Sequence, residues 1–197
     1  TLPENYVVGA TGTLQTPSEA DFLQRKVQES IARLTRESKT GKPGKKTVSD
    51  SFPDSSPVMK TIRYTAERVH DFAWFADKHF VVDKDTLNLN GRTIQLAVYK
   101  HPGSAGYWKE AITYLKRAIT YKSKWLGEYP YEVMSVVEIE NHPDAGGMEY
   151  PTITLVDDGG SAKELDMVIH HETGHNWFYG ILASNERQHP WMDEGMN

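Results

Sequence analysis

From Ser104 to Leu126 the apolar residues Trp108, Ile112, Leu115, Ile119 and Leu126 recur at spacings of four, three, four and seven, which predicts an amphipathic helix closed by Gly127. Lys122 interrupts that stripe, its stem expected along the apolar face and its charge in water. An earlier stripe of Leu23, Val27, Ile31 and Leu34 follows Thr16-Pro17-Ser18-Glu19. That tetrad supplies an N-cap, a first-turn proline and a capping glutamate, so a helix to about Ser38 is expected. Period-two alternation of Ile62, Tyr64 and Ala66 predicts a half-buried strand over Thr61 to Val69. Tyr6-Val7-Val8, Tyr131 to Ile139 and Met148 to Val156 also read as strands. Asn90-Gly91, between Leu87–Leu89 and Ile94–Val98, predicts a hairpin, because that dipeptide suits the mirror-image turn of twisted strands. Phe72, Trp74, Phe75, Phe80, Val81 and Val82 are expected in a core. Lys39 to Pro57 has no apolar period and reads as a solvated loop. Ser161-Ala162-Lys163-Glu164 is a capping box, predicting a helix to about Leu182. Gly180 to Pro190 then breaks the chain, and a second helix is expected from Trp191.

The charge balance changes the picture only by exclusion. Lys and Arg number 22 against 27 Asp and Glu, a net of −5, which argues against a nucleic-acid partner. No apolar run reaches the length of a membrane span. With no cysteine, thiolate metal sites, disulfides and cysteine nucleophiles are excluded, and any compartment is allowed, an exported one included. The chain enters almost directly into a strand and stops at Asn197, three residues past Glu194; it reads as an excised piece of a longer protein, expected to be inactive alone.

The chemistry concentrates near the end. In His171-Glu172-Thr173-Gly174-His175 the two histidines stand four apart, on one face of the predicted helix, where both can grip one ion. Zinc in hydrolases takes three protein ligands and leaves a fourth position open. Glu194 is the candidate third ligand. Continued helix would carry it about 28 Å away, so the break before Trp191 is what allows its return. Glu172, beside the first histidine, is the candidate general base. His170 points about 100° away from His171 and is assigned a supporting role. Asp193, next to the third ligand, is a candidate to orient an imidazole. Upstream, Gly146-Gly147 before an extended segment lets another backbone approach closely, and Glu149 places an anion there.

Together these residues resemble the gluzincin aminopeptidases, the family of aminopeptidase N and the leukotriene hydrolase. The similar pieces are Gly146-Gly147-Met148-Glu149-Tyr150, His171 to His175, and Asp193-Glu194-Gly195, with His175-Asn176-Trp177-Phe178 resembling the family's His-Gln-Trp-Phe. The resemblance implies one zinc ion per chain on His171, His175 and Glu194, Glu172 as base, and Glu149 holding the free α-amine of a peptide substrate. It implies that the Gly146, Gly147 and Met148 backbone pairs with that peptide. It also implies an α+β fold: residues 1–82 ending an N-terminal β-rich domain, and residues 83–197 forming the first half of a thermolysin-like catalytic domain that the rest of a parent chain completes. Tyr150 stands where the family usually has Asn. A thermolysin-type endopeptidase, or a catalytically dead peptide-binding domain that retains metal, are the alternatives.

Overall fold

In a computed structural model, residues 1–40, 52–139, 146–157 and 160–197 are described, without the side chains of residues 34 and 36–40. Most of the loop expected over Lys39 to Pro57, and the side chain of Leu34, lie outside that set.

A mixed five-stranded sheet organises the chain. Strand β7 (Val81–Leu89) pairs antiparallel with β8 (Arg92–Lys100), as the Asn90-Gly91 signal predicts, and both turn residues have positive φ. Strand β9 (Val133–Ile139) runs parallel to β8, and β11 (Ile153–Asp157) parallel to β9. Strand β10 (Gly147–Tyr150) folds back on β11 and forms one edge. The single strand expected over Met148 to Val156 is therefore a hairpin. Pro151 has no N–H for a ladder, and Thr152 turns the chain at a φ of 64°, its N–H satisfied by the buried Asn176 side chain at 3.1 Å.

Both faces of this sheet are covered, and period two divides the residues between them. Ile94, Leu96 and Val98 of β8, with Met134 and Val136 of β9, face one core; Ala97, Tyr99 and Val137 face the other. The first core packs Trp108, Leu115 and Ile119 from the helical stretch Gly106–Leu126, a 3-10 turn (Gly106–Glu110) leading into α2 (Ala111–Leu126). It also packs Leu165 and Ile169 from α3 (Ala162–His175). The second core takes Leu23 and Val27 of α1 (Pro17–Thr40). Ile31 departs from its expected stripe and is exposed, because the helix turns Ser30 toward Asp83 of β7 instead.

Before the sheet the strands are short. β1 (Leu2–Pro3) pairs with β4 (Met59–Lys60), β2 (Val7–Ala10) with β6 (Trp74–Asp77), and β3 (Thr13–Leu14) with β5 (Tyr64–Thr65). The long strand expected over Thr61 to Val69 shrinks to β5, although Ile62, Tyr64 and Ala66 do alternate in burial with exposed neighbours. The aromatic cluster divides. Phe80 and Val82 enter the core, whereas Phe72 and Trp74 are exposed. The boundary expected at residue 82 falls inside β7. No helix among the described residues is long and apolar enough to cross a membrane.

Candidate metal centre and catalytic site

Ser161 caps α3 as expected: its hydroxyl accepts from Glu164 N at 3.2 Å and donates to the Glu164 carboxylate at 2.7 Å. The helix is α-helical to His175 and then widens into a π-helical turn, Asn176–Ile181. Trp177, in that turn, is buried and donates to Gly127 O at 2.8 Å, which locks the end of α3 against the end of α2.

The second helix expected from Trp191 is instead a short 3-10 turn, Pro190–Met192. One further α-type bond, Glu194 N to Pro190 O at 2.8 Å, carries the chain over α3. A single turn suffices, because Asp193 is pinned directly: its buried carboxylate hydrogen-bonds Nδ1 of His175, itself 1% exposed. Glu194 then reaches the histidines. His171 Nε2 lies 3.2 Å from His175 Nε2 and 3.2 Å from Glu194 Oε2, and His175 Nε2 lies 3.8 Å from that oxygen. Three corners of a tetrahedron with ~2.0–2.1 Å arms stand about 3.3–3.4 Å apart, so two imidazoles and one carboxylate at these separations fit a zinc ion. His170 is half-buried and takes no part, and His189 is exposed in the break.

Glu172 is buried, 5% exposed, and its Oε2 has no hydrogen-bond partner. Burial first, then the carboxylates of Glu149, Glu194 and Asp193, push its pKa up to about 8. Glu149, on β10, points toward α3, and its carboxylate lies with those of Glu172 and His175's imidazole inside a span of 4.8 Å. Burial, opposed by its own backbone N–H and reinforced by Asp193, Glu186 and Glu194, raises its pKa to about 7.

The glycine pair has a specific use. A Cβ on Gly147 would overlap Glu172 Oε1, so what approaches that backbone is the candidate base itself. Gly146, just before the strand, is exposed, and Met148 points with Tyr150 to the opposite face from Glu149. Tyr150 packs against Phe75 at 5.9 Å between ring centroids, away from the carboxylates.

Sequence reasoning passed over several residues here. Glu186, from the break, joins Glu149 and Asp193 in a second carboxylate group within 4.8 Å. Tyr179 is buried beside it, with His70 edge-on at 4.2 Å, so the segment before the sheet reaches the site. Asn197 donates to His171 O at 2.6 Å. Tyr179 and Asn197 fall within expected helices and Glu186 and His70 outside them, and in neither case does local pattern show that the side chain turns toward the site.

No family model matches the chain, and no curated protein does. Solved structures do. The M1 zinc metallopeptidase from Deinococcus radiodurans superposes with a TM-score of 0.65 at 16% identity, covering 98% of this chain. A point mutant of that enzyme gives 0.66 at 15%, and the mutant bound to a Tyr-Ser-Ala substrate 0.61 at 16%. This chain spans 36% of the length of each. At such identities the match defines the fold. The chain has the mixed α and β fold of part of an M1 zinc metallopeptidase.

Proposed function

We propose that the protein is a zinc aminopeptidase, with His171, His175 and Glu194 holding the metal, Glu172 acting as general base and Glu149 binding the substrate's α-ammonium. In this reading residues 1–82 end a β-rich domain and residues 83–197 begin the catalytic one. Zinc held there would supply a Lewis acid that acidifies water and polarises a carbonyl. The chain's own groups do the rest. Glu172 Oε2, buried and unpartnered, takes a proton and passes it to the departing amine nitrogen. Asp193 fixes the His175 tautomer, so that Nε2 is the free lone pair. Among the described residues β10 is the edge strand of the sheet, and it offers backbone groups to an extended peptide, which adds a strand beside Glu149.

One observation carries the aminopeptidase reading: the buried Glu149 carboxylate stands next to the base. The first carbonyl carbon of a peptide lies only about 2.5 Å from its α-nitrogen. An ammonium on Glu149 therefore presents the first peptide bond to Glu172 and leaves no room for residues upstream. A charge-assisted contact of this kind contributes roughly 1.5–3 kcal/mol.

The test compares free-amine and N-acetylated aminoacyl substrates. Because this chain spans 36% of the length of the structures it matches, little turnover is expected from these residues alone, and the assay uses the full-length protein. Free-amine substrates should be strongly preferred, and Glu149→Ala should raise KM and abolish the preference. Equal cleavage of blocked and internal bonds would transfer the reading to a thermolysin-type endopeptidase. Zinc uptake without any turnover would leave a metal-retaining binding domain.

A further inference from the structure

Among the described residues two lysines are buried, Lys100 and Lys122; Lys100 pairs with the Asp83 carboxylate, and the proposed chemistry gives Lys122 no role. Lys122, expected with its charge in water, is 7% exposed on α2, facing α3. An ammonium taken this far from water requires a compensating partner. Its hydrogen bond goes to Asn197 Oδ1, and the Phe178 ring lies 5.8 Å away. Asn197 Nδ2 in turn donates to His171 O at 2.6 Å and packs 3.4 Å from His171 Nδ1. The amide can face only one way here: an ammonium only donates and a carbonyl only accepts, so Oδ1 meets Lys122 and Nδ2 meets the helix. Gly174 allows this layer to close, since a Cβ there would overlap both Asn197 Oδ1 and Lys122 Nζ.

We infer that Lys122 is a positioning residue for the metal triad, acting through Asn197 to hold His171 and the segment that carries Glu194. The inference rests on the metallopeptidase reading. The two imidazoles are held by different devices. Asp193 accepts from His175 Nδ1, a charge-assisted bond. His171 presents Nε2 to the triad, so its Nδ1 carries the proton, and Asn197 Nδ2 cannot accept it. The 3.4 Å contact is therefore packing that limits ring rotation, while the bond to His171 O fixes the amide. The same amide anchors the last turn. Glu194, Gly195 and Met196 are exposed, and the residues flanking them are tied to α3, Asp193 to His175 and Asn197 to His171. Those two anchors set the carboxylate over the histidines.

The test measures zinc affinity by chelator competition on the full-length protein, with the visible spectrum of the cobalt-loaded form and the metal-free Tm. Lys122→Met keeps the length and removes a buried charge, so the metal-free Tm should hold or rise. Zinc affinity should nevertheless fall about 10–100-fold, as when other groups that orient ligands are removed. Asn197→Ala, at a half-buried position, should weaken zinc equally and alter the cobalt bands in the same way. Because the two act as one strut, the double variant should bind no worse than the weaker single one. Ile119→Val on the same helix should lower Tm and leave zinc affinity alone, separating positioning from packing. Unchanged affinity in both single variants, or additive losses in the double one, would overturn the strut and leave the metal centre standing. Failure of the unsubstituted protein to take up zinc would overturn both.

Discussion

Asp193 and His175, 18 residues apart in sequence, meet as a buried hydrogen-bonded pair, and the very next residue after Asp193 is the candidate third ligand. One contact thus orients an imidazole and delivers a carboxylate. Removing it should affect both. Asp193→Ala is expected to weaken zinc binding by about 10–100-fold. Asp193→Asn, which keeps the shape but can present a donor to Nδ1, should recover only part of that. Chelator competition checks both variants, and wild-type affinity in Asp193→Ala would mean that the pair contributes nothing to the site.

Glu172→Gln should bind zinc normally, because the side chain is not among the three converging ligand atoms. Turnover of free-amine substrates should fall by at least about 10²–10⁴-fold, the range a positioned acid–base group supplies. Activity retained at full zinc occupancy would remove Glu172 from the mechanism.

The backbone of β10 sets the position of that base. Gly147→Ala places a methyl group where Glu172 Oε1 now lies, so either the carboxylate or the strand must move. A displacement of about 1 Å in a catalytic group can lower the rate about 10²-fold. The expected outcome is a fall in kcat of that order with zinc content unchanged. A fully active Gly147→Ala enzyme would show that the close approach has no catalytic consequence.

The raised carboxyl pKa values give the metal-free protein a pH signature. Glu172 moves from an ordinary 4.5 to about 8 and Glu149 to about 7, mainly by burial. Where the folded pKa is the higher one, the unfolded chain loses its proton first, so stability is full below about pH 4.5 and declines as pH rises toward 8. The metal-free Tm should therefore drop across that window. Glu172→Gln, which cannot ionise, should flatten the decline, most visibly between pH 5 and 8 on the order of a few kcal/mol. Thermal melts of the chelated protein at several pH values test this, and a Tm that climbs with pH would contradict the assigned burial.

Much of the site was legible because its geometry is local. His171, Glu172 and His175 occupy one helix, where spacing fixes direction, and the capping box marks where that helix begins. The hairpin at Asn90-Gly91 was legible for the same reason. What escaped depends on contacts between distant segments. The tie from Lys122 to Asn197 spans 75 residues, so a lysine in an apolar stripe reads as an interruption rather than as a buried support. Glu194 does lie beside the histidines, but on a short turn rather than the expected second helix, since Asp193's bond makes a whole helix unnecessary. The split of Met148 to Val156 into two strands turns on Thr152 at positive φ, held by Asn176, which no alternation pattern encodes. Phe72 and Trp74 were misplaced because aromatic content alone does not say which face of a short strand pair is covered.

The central claim is that His171, His175 and Glu194 hold one zinc ion. Anomalous diffraction at the zinc absorption edge, from crystals of the zinc-loaded protein, tests it most directly. The account predicts a single strong peak with His171 Nε2, His175 Nε2 and a Glu194 oxygen each at ~2.0–2.2 Å. A peak placed instead among the carboxylates of Glu149, Glu186 and Asp193, or no ordered zinc at all, would contradict it.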